Sequence, residues 1–188
     1  MTPAESRSAL GYFDTPDALI YGIGNIGRQD DGLGWAFIDW LDAAGLCPQA
    51  ERVKFYQLNL EDADLISRKQ RVLFIDASKD EALEGFCLYQ AEPQMDVSFT
   101  SHAMSIETIL ATCGQCFGVM PEVYVLAIRG YAWELEMGLT AQAQRNLQTA
   151  AEQLKHTSLA SSSQNHRPHR PNPARGARNL DQHSGGNT

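Results

Sequence analysis

The sequence predicts an α/β fold with three layers, α/β/α, around a mostly parallel, twisted sheet of about five strands with one antiparallel edge strand. Short apolar runs typical of buried strands alternate with stretches whose apolar residues follow helical spacing. Such alternation is typical of a parallel sheet covered by helices on both faces. One connection differs, because only the nine residues 77–85 separate two strand-like runs. A parallel crossover usually needs about a dozen residues or more, so the strand after this connection is expected to be antiparallel and at an edge.

The individual elements follow from these patterns. Five strands are expected, at Ala18–Gly24, Arg52–Leu58, Val72–Asp76, Phe86–Gln90 and Val123–Ile128. Helices are expected at Leu33–Ala44, where Leu33, Phe37, Ile38 and Leu41 are helically spaced, at Asp62–Ser67, at Ser105–Thr112, and from Thr140 to about Lys155. Ser105 and Thr140 are residue types that commonly cap the first turn of a helix. If the first three strands have the order 2-1-3, a crevice forms between strands 1 and 3 at their carboxyl ends.

The composition suits one domain followed by a tail. The chain has 188 residues, of which 43% are hydrophobic. We expect residues 1–17 to be an N-terminal extension and residues 18–157 to be the globular domain. Residues 158–188 are rich in Ser, Asn, His, Pro, Arg and Gly and contain few apolar residues. This composition predicts a disordered basic tail, because it buries too little apolar surface to offset the entropy of ordering.

Charge and hydropathy narrow the function classes. The net charge is −8, and the acidic residues are concentrated before residue 155. An acidic domain repels phosphates, so we expect no nucleic-acid partner; a cationic peptide or a metal ion is a better match. No stretch approaches the ~20 apolar residues of a membrane span, and the first residues lack the order of a secretory signal. We therefore expect a cytoplasmic protein with no membrane partner, in which Cys47, Cys87, Cys113 and Cys116 are reduced thiols.

A glycine-rich loop follows the first strand and allows two interpretations. Residues 22–27 match the pattern G-x-G-x-x-G that binds dinucleotides between a strand and a helix. The pair Asp30 and Asp31 disfavours this interpretation, since the carboxylates stand where a pyrophosphate would bind. In the other interpretation the glycines permit a tight turn and close packing. Asp30 is then expected to interact with the start of the helix, and Asp31 to point into the crevice.

Three residues form the candidate site. Asp31 follows the first strand, Asp76 ends the third, and His102, the only histidine before residue 156, precedes a predicted helix. Two carboxylates and one imidazole form a mixed oxygen and nitrogen set that suits nickel, zinc or a similar divalent ion.

These residues lie in motifs that resemble those of the hydrogenase maturation endopeptidases. GIGNIGRQDDGLG resembles the first motif of that family, FIDA the second, SHAMSIETIL the third, and AIRG with WELEMGLT the C-terminal stretch. The resemblance covers about residues 18–155, in the family's order. The chain departs from the family at Ile26-Gly27-Arg28-Gln29, where apolar residues commonly follow the asparagine, and in its basic tail.

The resemblance implies an aspartic-type peptidase domain at residues 18–157. Such an enzyme removes the C-terminal peptide of a NiFe hydrogenase large-subunit precursor after nickel insertion. It implies nickel contacts at Asp31, Asp76 and His102. Peptide hydrolysis needs an activated water, and we expect Asp31 or Asp76 to be the catalytic base. The nickel is expected to come with the precursor, which is the expected partner of a monomeric enzyme that holds no tightly bound cofactor at rest.

Two other functions remain open from the sequence. The glycine loop allows a dinucleotide-binding oxidoreductase, and the candidate ligands allow a nickel-binding chaperone without hydrolysis. The motif Cys113-Gly114-Gln115-Cys116 is expected to be two reduced thiols near a helix end, because no second C-x-x-C accompanies it.

Overall fold

The computed structural model describes residues 7–95 and 104–159. His102 and residues 160–188 of the expected tail lie outside this part of the chain. The elements, in chain order, are α1 (Ala9–Phe13), β1 (Ala18–Ile23), a short 3-10 helix (Gln29–Gly32), α2 (Leu33–Ala44), β2 (Glu51–Phe55), α3 (Asp62–Ser67), β3 (Arg71–Ser78), β4 (Phe86–Gln90), α4 (Ile106–Phe117), β5 (Glu122–Arg129) and α5 (Ala141–His156).

The five strands form one sheet in the order β2-β1-β3-β5-β4. β1 pairs in parallel with β2 and with β3, and β3 pairs in parallel with β5. β4 lies at the edge and runs antiparallel to β5. The predicted fold class, including the antiparallel edge strand at Phe86–Gln90, is therefore confirmed.

Two apolar clusters cover the two faces of the sheet. One cluster joins the sheet to α1, α2 and α5, and includes Phe37, Leu41 and Leu154. The other joins it to α3 and α4, and includes Ile66 and Ile109. All six residues of β1 are buried, as expected of a central strand with helices on both sides.

Local sequence signals set several helix boundaries. The Ser105 hydroxyl accepts a hydrogen bond from the Thr108 N–H at 3.2 Å, and the Thr140 hydroxyl accepts one from the Ala143 N–H at 3.2 Å. Each capping bond satisfies an amide that has no partner within its helix, so α4 and α5 begin where predicted. α2 ends as predicted before Gly45, whose φ of 62° is in the left-handed region that favours glycine.

Two strand ends differ from the prediction by more than one residue. α4 also continues past the expected end at Thr112 to Phe117, where Gly118, with a φ of 67°, ends it. β2 stops at Phe55 instead of Leu58, because its neighbour β1 ends at Ile23, which is the partner of Phe55 in the register. β3 continues to Ser78, because β5 pairs with it through Asp76, Ala77 and Ser78. Asp76 therefore lies inside the strand, two residues before its end.

The stretch expected to be an extension contains α1. Its residues Ala9, Leu10 and Phe13 are buried in the same core as α2 and α5. The Ala9 N–H donates a hydrogen bond to the carbonyl of Thr157 at 2.8 Å, just after α5. Within residues 7–95 and 104–159, no helix is long and apolar enough to cross a membrane.

Candidate active site

The turn after β1 folds back so that Asp31 lies beside the end of that strand. The Asp31 carboxylate accepts a hydrogen bond from the Asn25 N–H at 3.1 Å, and the Asn25 side-chain carbonyl accepts one from the Gly27 N–H at 2.9 Å. Gly24 has a φ of 131°, and a Cβ there would lie 1.8 Å from the carbonyl oxygen of Asp31. Only glycine fits this position, so the sequence of the loop itself fixes the place of Asp31.

Asp76 lies on β3, the neighbour of β1, near the carboxyl edge of the sheet. Its carboxylate accepts a hydrogen bond from the Ala77 N–H at 2.8 Å. Burial raises the pKa of the Asp76 carboxyl group to about 7; the Ala77 hydrogen bond opposes this rise, and the negative charge of Asp31 adds to it. Asp31 and Asp76 are therefore close enough to interact, as the predicted 2-1-3 strand order requires.

A second glycine permits this close approach. Gly34, in the first turn of α2, faces the ends of β1 and β3, and a Cβ there would lie 2.3 Å from the Ile23 carbonyl oxygen and 2.4 Å from that of Ile75. The start of α2 thus rests directly on the backbone of both strands. This contact places the turn that carries Asp31 against the strand that carries Asp76.

A cavity of about 750 Å³ opens beside Asp76. Its walls come from the segment after β2, the end of β3 with the connection that follows, β4, β5 and the start of α4. The lining includes the charged residues Lys79, Asp80, Glu81 and Glu107 and the apolar residues Ile23, Leu58, Met104 and Ile106. A space of this size next to an acid pair suits an extended segment of a few residues.

The predicted third ligand cannot be placed relative to the two acids, since His102 lies outside the described residues. Within the described ranges, no group of three or more His, Cys, Asp or Glu side chains gathers as a metal site. The described part of the predicted set is therefore the pair Asp31 and Asp76.

Asp30 has a larger role than the expected interaction with its own helix. Its side chain is fully buried and accepts four hydrogen bonds from the segment that leads into α5. The donors are the N–H groups of Tyr131 (2.7 Å), Ala132 (3.1 Å) and Thr140 (2.7 Å), and the Thr140 hydroxyl (2.8 Å). Sequence reasoning missed this long-range role, because a buried carboxylate before a helix looks like a local cap.

Further contacts join the same two segments. Gln29 has a φ of 45°, unusual for a residue with a side chain, and its N–H donates to the Glu136 carbonyl at 2.8 Å. Its side chain accepts from the Glu134 N–H at 3.3 Å and donates to the Glu136 carboxylate at 3.2 Å. Arg28 donates to the Trp133 carbonyl at 3.3 Å. The strained turn is therefore held by contacts from a segment about 100 residues further along the chain.

Four backbone donors of the glycine loop already have acceptors. The N–H of Gly24 donates to the Phe55 carbonyl and that of Arg28 to the Asn25 carbonyl. The N–H groups of Asn25 and Gly27 donate to side chains of the same turn. A pyrophosphate needs such donors to be free, so the geometry favours the second interpretation of the motif.

The C-x-x-C motif lies at the end of α4, away from the acid pair. Cys113 is buried, Cys116 is exposed, and both are free thiols, as are Cys47 and Cys87. Burial raises the pKa of the Cys113 thiol, and the neighbouring Cys116 adds to this rise. A raised pKa at the carboxyl end of a helix disfavours thiolate chemistry, in agreement with the prediction.

No family model and no curated protein sequence matches the chain. Among solved structures, the hydrogenase maturating endopeptidase HybD from E. coli is similar with a TM-score of 0.57 and 17% identity, over 73% of this chain and 88% of that one. The NiFe hydrogenase maturation protease HycI from Thermococcus kodakarensis KOD1 is similar with a TM-score of 0.57 and 18% identity, over 75% of this chain and 94% of that one. The NiFe hydrogenase maturation protease HybD from Thermococcus kodakarensis is similar with a TM-score of 0.52 and 20% identity, over 72% of this chain and 94% of that one.

The chain has the fold of the hydrogenase maturation endopeptidases. This confirms, at the level of the fold, the resemblance that the sequence motifs indicate. The motifs of the resemblance that fall in described residues surround one edge of the sheet: the first supplies Asp31, the second supplies Asp76, and the C-terminal stretch binds Asp30. The meeting of these segments at one edge of the sheet makes that edge the candidate active site.

Proposed function

We propose that this protein is an endopeptidase that removes the C-terminal peptide of a NiFe hydrogenase large-subunit precursor after nickel insertion. The pairing of Asp31 with Asp76 at the carboxyl edge of the sheet, within the fold of proteins named as hydrogenase maturation proteases, is the observation that supports it. The acidic character of the chain and the mixed lining of the adjacent cavity fit a peptide better than a phosphorylated ligand. In this proposal the enzyme acts in the cytoplasm as a monomer.

The nickel ion belongs to the substrate in this proposal. Asp31, Asp76 and His102 contact it when the precursor docks, and they are the residues by which the enzyme distinguishes a nickel-loaded precursor from an empty one. Carboxylate and imidazole groups are suitable ligands for such an ion. A nearby cation lowers the pKa of Asp76, so this carboxylate is ionised once the precursor is bound.

Peptide hydrolysis needs an activated water and a proton for the leaving amine. Either Asp31 or Asp76 accepts a proton from the water as its oxygen attacks the peptide carbonyl carbon. The same group returns the proton to the amine nitrogen when the C–N bond breaks. Before the precursor docks, burial raises the pKa of Asp76 to about 7, and the nickel ion lowers this pKa again on docking.

The test compares nickel-loaded and nickel-free precursor incubated with the full chain. We expect the loaded precursor to lose the mass of its C-terminal peptide and the nickel-free precursor to remain intact. Asp31→Asn, Asp76→Asn and His102→Ala are expected to abolish the mass change. Asp39→Asn is a matched control, since this acid pairs with Lys54 on the outside of α2 and lies in neither the acid pair nor the cavity.

The outcomes separate this function from the alternatives. A precursor that binds but keeps its mass supports a nickel-binding chaperone and contradicts the peptidase. Full processing by His102→Ala contradicts the proposed nickel contact of that residue while leaving hydrolysis in place.

A further inference from the structure

A rim loop, residues 131–139, connects β5 to α5 at the same edge of the sheet as the acid pair. It is held on one side by Asp30, Gln29 and Arg28, the residues immediately before Asp31. On the other side the Lys79 ammonium lies 4.5 Å from the ring centre of Trp133. Lys79 follows the strand that carries Asp76 and lines the cavity. The rim loop is therefore attached to the segments of both acids.

The tip of the rim loop places large apolar side chains in water. Leu135 is 87% exposed and Met137 is 74% exposed. The Glu134 N–H donates to the Gln29 side chain and the Glu136 carbonyl accepts from the Gln29 N–H, so the backbone is fixed on both sides of Leu135. Apolar groups that a rigid loop holds in solvent beside an active site are typical of a protein-binding surface.

We infer that the rim loop is the docking element for the folded body of the protein substrate, with Leu135 and Met137 as its contact residues and Asp30 as the positioning residue that fixes it relative to Asp31. This inference rests on the proposed function. The loop alternates apolar residues with the acids Glu134 and Glu136. The surface that it fits is therefore an apolar patch of the precursor bordered by basic residues.

The test measures cleavage of nickel-loaded precursor as a function of its concentration. The variant Leu135→Ser with Met137→Ser removes only exposed side chains, so it is expected to fold. We expect its KM to rise about tenfold or more and its kcat to stay within about twofold, since docking is lost and the acid pair is intact. The matched control is Val119→Ser with Met120→Ser, which removes two exposed apolar side chains at the opposite edge of the sheet.

A further variant tests the part played by Asp30. Asp30→Asn keeps an acceptor but loses charge, so the rim loop loosens and KM rises. Combined with Leu135→Ser and Met137→Ser, its effect on KM is expected to be less than additive, since both changes act through the same loop. An additive effect, or a loss confined to kcat, overturns the role of Asp30 as the residue that positions the loop.

The outcomes also separate this inference from the function on which it rests. If the wild-type chain does not cut loaded precursor, the proposed function fails. If the wild type cuts it and the variant Leu135→Ser with Met137→Ser has an unchanged KM, the inference about the rim loop fails and the proposed function stands. An equal rise in KM for the control variant, Val119→Ser with Met120→Ser, also overturns the inference about the rim loop.

Discussion

The charge of Asp31 acts on Asp76: burial raises the pKa of Asp76 to about 7, and the negative charge of Asp31 adds to that rise. An aspartate in an unfolded chain has a pKa near 4. Ionising Asp76 therefore costs free energy only in the folded state. This cost is absent below about pH 4, grows as the pH rises, and is complete above about pH 7.

The first prediction concerns stability and pH. Asp76→Asn is expected to stabilise the fold by about 2–4 kcal/mol at pH 8 and to have little effect at pH 4, because the amide has no charge to bury and still accepts the Ala77 hydrogen bond. Urea unfolding at a series of pH values measures the difference. Asp39→Asn, an exposed acid, serves as the control, and a constant offset between Asp76→Asn and wild type at all pH values would contradict the prediction.

The second prediction concerns the close contact at the start of α2. Alanine normally stabilises a helix relative to glycine by about 1 kcal/mol, yet Gly34→Ala is expected to destabilise the protein by about 3 kcal/mol or more. The new Cβ would collide with the backbones of β1 and β3, which cannot move independently. Gly118→Ala is a suitable comparison: its φ of 67° carries strain, but nothing lies within 4 Å, so a cost of about 1 kcal/mol is expected.

If Gly34→Ala is no more harmful than Gly118→Ala, the close packing of α2 on the strand ends is wrong. Chemical denaturation of the two variants gives the comparison. Processing of the precursor by Gly34→Ala is also expected to fall, because the turn that carries Asp31 moves away from Asp76.

The helix starts and the antiparallel edge strand were predictable, because each depends on residues that are close together in the sequence. Ser105 and Thr140 cap helices through their own hydroxyl groups, and the short connection before Phe86 leaves no room for a parallel crossover. α1 escaped prediction because five residues are too few for a helical period. Of the candidate site, the loop glycines and the two strand ends pointed to Asp31 and Asp76, whose role stays a prediction. The role of Asp30 was not predictable, since its donors lie about 100 residues away.

The third prediction concerns this long-range anchor. Asp30→Ala leaves three partly buried N–H groups without this acceptor, so a loss of about 3 kcal/mol in unfolding free energy is expected. In hydrogen exchange, the amides of residues 131, 132 and 140 are expected to lose protection first. Thr140→Val, which removes only the hydroxyl, is expected to cost about 1–2 kcal/mol. Unchanged protection of those amides in Asp30→Ala would show that other contacts hold the loop.

The fourth prediction concerns the alternative use of the glycine loop. We expect no binding of NAD or NADP at millimolar concentration, because the N–H groups of Gly24, Asn25, Gly27 and Arg28 already have acceptors and Asp31 adds a negative charge. Isothermal titration of the full chain with either dinucleotide tests this. Saturable binding that Asp31→Asn strengthens would revive the oxidoreductase hypothesis.

The hydrogen bond between Ala9 and Thr157 joins the two ends of the folded domain. α5 starts beside Asp30 and runs back across the sheet, so this junction lies at the edge opposite the candidate active site. A circular permutant that links these two ends with a short peptide, and opens the chain at the exposed turn around Val119 on that same edge, would leave every contact of Asp30, Asp31 and Asp76 untouched. We therefore expect such a permutant to form the same candidate active site, although its motifs occur in a different order along the chain.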